Sequence, residues 1–154
     1  ALEPIACLGR IIQHERLPDG RYNFLLLGKR RVRLVRELDC PPLYRQAEVE
    51  VLTDVEPTGP AEPRRSELIA LFRALANLDP EMSDLLRRDL PLSTLSDILT
   101  HALGLPPALK QAFLNETNVD RRVEALIALL HRIGPEASRP SCGSRPFPPP
   151  FSIN

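Results

Sequence analysis

The apolar residues of this chain change period once, and that change limits what it can fold into. Between residues 5 and 55 they tend to alternate, as Val32 and Leu34 do with Arg31 and Arg33. This is the period-two pattern of a half-buried antiparallel strand. Beyond the turn-rich stretch from Glu56 to Pro63 (EPTGPAEP) the spacing becomes helical, with Leu68, Leu71, Phe72 and Leu75 on one stripe. Sheet first and helices after gives an α+β chain.

The alternation predicts strands near Ile5–Arg16, Tyr22–Leu27, Arg31–Leu38 and Gln46–Val55. Pro18-Asp19-Gly20 supplies one turn, because Pro fixes φ, Asp bonds its own backbone and Gly accepts a positive φ. Gly28 is expected to turn the chain again, and Cys40-Pro41-Pro42 to break it before the last strand. The four basic residues Lys29, Arg30, Arg31 and Arg33 then fall on the wet face of the sheet. The first strand starts almost at residue 1 with no capping turn before it, so the sheet edge suggests earlier strands that are absent here. With no initiating Met and no signal pattern, the chain reads as a trimmed, processed or internal piece.

Five helices are expected. The first spans about Pro63 to Asn77, and the second opens on Asp79-Pro80 as N-cap and N1 and runs through Leu86. The third starts near Ser93 and is stopped by Gly104 and Pro106. The fourth covers Pro107 to Glu116. The fifth opens on Thr117-x-x-Asp120, a relative of the capping box, and ends at Gly134-Pro135. From Pro135 onward six of twenty residues are proline, which fits a polyproline-like or disordered tail whose FPPPF stretch could serve as a peptide motif. The expected organisation is a partial β-lobe over 1–60, a helical lobe over 61–134 and a tail over 135–154.

With 154 residues and 43% apolar composition the chain can bury a core, although aromatics are scarce and Trp is absent. Formal net charge is zero, so no global field draws it to nucleic acid or membrane. No apolar run approaches the roughly 18 residues of a membrane span. Cys7, Cys40 and Cys142 are odd in number and form no CxxC pair, which favours a reducing, cytoplasmic setting over a disulfide framework. Cys7 and Cys40 read as small hydrophobes near strand positions. With His14, His101 and His131 they show no metal-ligand spacing, so no metal and no cofactor are expected.

Catalysis finds little support. There is no G-x-x-x-x-G-K-[ST] phosphate loop, since Gly28-Lys29 lacks the preceding glycine. Ser93, Thr94, Ser96 and His101 cluster where a helix start needs caps, and that explains them better than a nucleophile does. Carboxylates beside arginines, as in Arg36-Glu37 and Arg121-Arg122-Glu124, read as a solvated face.

Gly9-Arg10-Ile11, Leu17-Pro18-Asp19-Gly20-Arg21-Tyr22, and Leu25 to Gly28 with the arginine that follows resemble the amino-terminal substrate-binding domain of the Lon protease family. Tyr44-Arg45-x-Ala47-Glu48-Val49 fits that family's next strand. Leu95-x-Asp97-Ile98, Lys110-Gln111-x-x-Leu114 and Arg121-Arg122-Val123-x-x-Leu126 are similar to its helical segment, so the likeness covers about residues 3 to 133. The resemblance implies a PUA-like antiparallel pseudo-barrel, here lacking its first strands, followed by a helical bundle. It implies a module that recognises protein substrates without chemistry of its own, since the family's ATPase and Ser–Lys dyad lie in other domains.

The expected partners are therefore unfolded or damaged protein segments, with self-association left open and no membrane. An apolar crevice where sheet meets helices is the expected site, with Tyr22, Phe24 and Tyr44 as its aromatics and Arg31 and Arg33 steering acidic stretches. The runner-up is an RNA- or DNA-binding module, because PUA-like barrels elsewhere bind RNA and the Lys29–Arg36 run could contact phosphate. Against it stand Glu37, Asp39, the neutral total and the lack of further interleaved aromatics.

Overall fold

The computed structural model describes residues 2–39, 44–75 and 78–134. Three strands, β1 (Ile5–Arg16), β2 (Tyr22–Leu38) and β3 (Gln46–Val51), form an antiparallel sheet in the order β1-β2-β3. The first connection is the turn that its residues require. Gly20 takes φ +86°, Gly20 N–H donates to the Leu17 carbonyl at 3.0 Å, and Asp19 accepts from the Arg21 backbone N–H at 3.0 Å.

Gly28 does not turn the chain. Residues 22 to 38 run as one long strand, and the pairing passes from Leu8↔Arg30 to Gly9↔Gly28. Lys29 is thus an extra residue, a β-bulge that shifts the alternation by one instead of reversing direction. Similar shifts set Ile12 aside in β1 and Val35 in β2. The last strand is also shorter than its apolar pattern, ending at Val51. Val55 instead makes a parallel bridge with Asn118, donating to the Thr117 carbonyl at 2.9 Å and accepting from Val119 N–H at 3.2 Å.

Helices α1 (Ala61–Leu75), α2 (Pro80–Leu85), α3 (Leu92–Ala102), α4 (Pro107–Asn115) and α5 (Val119–Ile133) follow. Asp79 caps α2 as its sequence requires, accepting from Met82 N–H at 2.7 Å with Pro80 in the first turn. The cap of α5 is Asn118, whose side chain accepts from Arg121 N–H at 3.0 Å. Thr117 lies one position too early and gives its carbonyl to Val55. The serines of α3 are not caps either: that helix starts after Pro91 with no side-chain cap.

The buried core is helical. Leu68 and Phe72 of α1, Leu95 and Leu99 of α3, and Val119, Val123, Leu126 and Leu130 of α5 interlock, with Leu86 and Leu92 closing one end. No helix among the described residues is long and apolar enough to cross a membrane. Cys7 is exposed on β1 and not packed as a small hydrophobe. Cys40, Cys142 and the proline-rich stretch fall outside the described residues.

Candidate functional site

The seam between sheet and helices is filled by charge. Arg31 leaves β2 toward the helices and donates through Nη1 to Asp97 at 3.0 Å, through Nη2 to Asp97 at 2.5 Å, and through Nε to the Leu114 carbonyl at 3.0 Å. Asp54, just past β3, lies 3.3 Å from Arg31 and 2.7 Å from Arg122. Arg122 is fully buried, with its remaining donors on Ser96 Oγ at 3.2 Å and the Glu116 carbonyl at 2.7 Å. Two arginines and two aspartates therefore join β2, the segment after β3, α3 and α5. Burial works against the Arg31 charge, but its bond to Asp97 and the fields of Asp97 and Asp54 outweigh that and raise its pKa above the ordinary arginine value. Among the described residues no buried side-chain nitrogen or oxygen lacks a partner, the condition under which a buried ion cluster is tolerable.

This clasp corrects two expectations. Arg31 is not on the wet face, having a side chain only 9% exposed. Arg122 is not part of a solvated charge run. Its burial has a trace in the sequence, for it sits three residues after Val119 and four before Leu126, inside the apolar stripe of α5.

The remaining predicted residues are spread along the sheet. Tyr22 and Phe24, each 56% exposed, lie at the tip of the β1–β2 ribbon opposite Arg16 and His14. Arg33 is exposed and bound to Glu50 at 2.7 Å across β3. Tyr44 is exposed ahead of β3, about 50 Å along the strands from Tyr22 at roughly 3.3 Å per residue. The five residues do not form one site, though Tyr22 and Phe24 do form a pair.

A larger apolar surface lies elsewhere. Directly paired residues share a face and neighbours alternate, so the register places Leu8, Leu25, Leu27, Val32, Val49 and Val51 together, facing away from Arg31 and the helices. All but Val32 are exposed. Arg30, paired with Leu8, and Arg10, paired with Leu27, lie on the same face, so two exposed cations are interspersed with these apolar side chains. Sequence reasoning missed it because the bulge at Lys29 decides which leucines share a face with Val32.

Three of the five cations in the Lys29–Arg36 run have carboxylate partners: Arg31 is held by Asp97 and Asp54, Arg33 by Glu50, and Arg36 by Glu48 at 2.7 Å, so the run is not an uninterrupted stripe of free positive charge. A cavity of about 280 Å³ lies between the start of α1 and the segment before α3, lined by Glu62, Arg65, Asp89 and Leu90 among others. Its arginine is already engaged by Asp89 and the Leu90 carbonyl. The described residues contain no group of His, Cys, Asp and Glu able to hold a metal.

Residues 1–132 match the family described as ATP-dependent protease La (LON) substrate-binding domain. The chain is 30% identical over 122 residues to a Lon protease of Mycolicibacterium smegmatis, covering 78% of this chain and 16% of that protein. It is 29% identical over 133 residues to a Lon protease of Dictyoglomus thermophilum, covering 83% and 17%. The chain thus spans about a sixth of the length of these curated relatives. Among solved structures, the N-terminal domain of Mycobacterium avium complex Lon protease superposes with TM-score 0.64 at 22% identity, over 85% of this chain and 74% of that one. A Lon N-terminal domain protein from Xanthomonas campestris gives 0.59 at 22%, over 82% and 68%. Both likenesses bear out the α+β architecture.

Proposed function

Because this chain belongs to the ATP-dependent protease La (LON) substrate-binding domain family, we propose that it recognises protein substrates and leaves ATP hydrolysis and peptide cleavage to other domains or other chains. The observation that carries the reading is the exposed apolar face of the sheet at Leu8, Leu25, Leu27, Val49 and Val51. Unfolded or damaged proteins share exposed apolar segments rather than one sequence, so their receptor needs adaptable apolar area and not a shaped pocket. A part in protein quality control in the cytoplasm goes with that proposal, as do a PUA-like barrel for the β-lobe of residues 1–60 and a helical lobe over 61–134. Tyr22 and Phe24 at the ribbon tip and Tyr44 before β3 remain proposed contacts. Arg33 can steer acidic stretches from its exposed position, whereas Arg31 serves as a positioning residue in the clasp.

The test is a fluorescence titration of a labelled, unfolded model protein against the wild type, Leu8→Ser/Leu27→Ser and Tyr22→Ala/Tyr44→Ala. Removing two exposed apolar anchors should weaken binding about tenfold or more in the leucine variant, with a smaller loss in the tyrosine variant. Unchanged affinity in a folded leucine variant would place the site elsewhere. A wild type that binds no unfolded protein would end the reading.

A further inference from the structure

We propose that the seam between sheet and helices is a hinged latch. The sheet swings away from an intact helical bundle, because the buried cation at the seam keeps partners on its own side when the sheet leaves.

The four charges of the clasp are paired unequally. The tight contacts are Arg31 of β2 to Asp97 of α3 at 2.5 Å and Arg122 of α5 to Asp54 at 2.7 Å. Each arginine also has the other aspartate at 3.3 Å, Arg31 near Asp54 and Arg122 near Asp97. Withdrawing Arg31 is therefore an exchange of partners. Arg122, fully buried, retains Asp97, Ser96 Oγ and the Glu116 carbonyl, all within the helical half. Breaking a buried ion pair is costly where it strands one charge. Here Arg31 withdraws with Asp54 in reach, from a site that water already touches, since the Asp97 side chain is 43% exposed.

The chain path supplies the hinge. Leu52 N–H donates to the Arg31 carbonyl at 2.9 Å, which ties residue 52 to the sheet. Three residues later Val55 is bridged to Asn118, just ahead of α5. Thr53 and Asp54 lie between these anchors outside any regular element, so the connection can bend at the residue whose carboxylate reaches both arginines. Elsewhere the seam is bridged by side-chain hydrogen bonds, from Arg31 Nε to the Leu114 carbonyl at 3.0 Å and from the Gln111 amide to the Ile5 carbonyl at 2.8 Å. The buried apolar cluster takes its described members from the helices and the segments joining them, and none from the sheet. A joint held by polar contacts beside a continuous core is the kind that opens below the free energy of global unfolding.

Urea titration of the full chain with two probes tests this. One probe is the helical circular dichroism signal. The other is the distance between spin labels at Asn23→Cys on the ribbon and Ala128→Cys on α5, two exposed positions, in a Cys7→Ser/Cys40→Ser/Cys142→Ser background. The label distance should lengthen at lower urea than the helical signal is lost. Arg31→Gln/Gln111→Ala removes bonds made only in the closed state. It should raise the ratio of open to closed molecules at least tenfold and leave the helical transition where it is. Leu99→Ala, in the helical core, should move only the second transition. Coincident transitions of the two probes in the unmutated seam would overturn the proposal, whether or not the variants fold. So would a label distance that stays short in Arg31→Gln/Gln111→Ala until the helices melt.

Discussion

Arg122 shows how far a residue's role can depart from its neighbours in sequence. It stands among Arg121 and Glu124, yet it is fully buried with Asp54, Asp97, Ser96 and the Glu116 carbonyl around it. Replacing it leaves Asp54 and Asp97 facing a cavity with Arg31 as their remaining cation. Arg122→Ala should therefore lower unfolding stability by about 3–5 kcal/mol in a urea titration, the cost of breaking a buried ion pair from one side. Asp120 acts at the surface instead. It accepts from Thr58 N–H at 3.0 Å and Thr58 Oγ1 at 2.9 Å and pairs with Arg64, and the Thr58 backbone bond, ahead of the Arg64 contact, lowers its pKa from 3.8 to about 2. A carboxylate with a depressed folded pKa stabilises above its unfolded value and loses that contribution as pH falls through the folded one. Asp120→Asn should thus melt below the wild type at neutral pH. The two melting curves should converge as pH drops from about 4 to about 2, which a pH series of thermal melts reads directly.

At the level of elements, the Asp79 cap of α2 was legible where the inside of β2 and the caps of α3 and α5 were not, for a physical reason. A cap is a local bond: Asp79 reaches Met82 three residues on, so the pattern Asp-Pro before an apolar stripe is enough to place α2. The Pro18-Asp19-Gly20 turn is local in the same way. A bulge is defined by the partner strand, and Gly28-Lys29 carries the marks of a turn as well as those of a bulge until β1 is laid beside it. The clasp is harder still, because Arg122 meets Asp54 from 68 positions away. One deletion tests the bulge. Removing Lys29 joins Gly28, opposite Gly9, directly to Arg30, opposite Leu8, so both halves of β2 keep their partners and their faces. The deletion should therefore leave the Arg31–Asp97 pair in place and change unfolding stability by no more than about 1 kcal/mol in a urea titration. A loss as large as that of Arg122→Ala would show that the bulge is needed to aim Arg31 into the clasp.

Across the whole molecule, burial and exposure are divided between the two halves. The interlocked core is helical, while the sheet is joined to it by the Arg31–Asp97 and Arg122–Asp54 pairs, the Val55–Asn118 bridge and the Gln111 amide. The apolar candidate surface lies on the side of the sheet away from those attachments. The family and the α+β class were legible from motif residues, but the shape of this surface needed the register. One mechanical consequence follows from the ribbon's length. From Arg31 in the clasp to Gly20 at the turn the strand runs about 35 Å at roughly 3.3 Å per residue. That makes the ribbon a lever with its fulcrum at the ion pairs. A rotation of about 10° there, small enough to be absorbed by a few hydrogen bonds, sweeps Tyr22 and Phe24 through about 6 Å, so a tug on the tip is felt at the helices through Arg31.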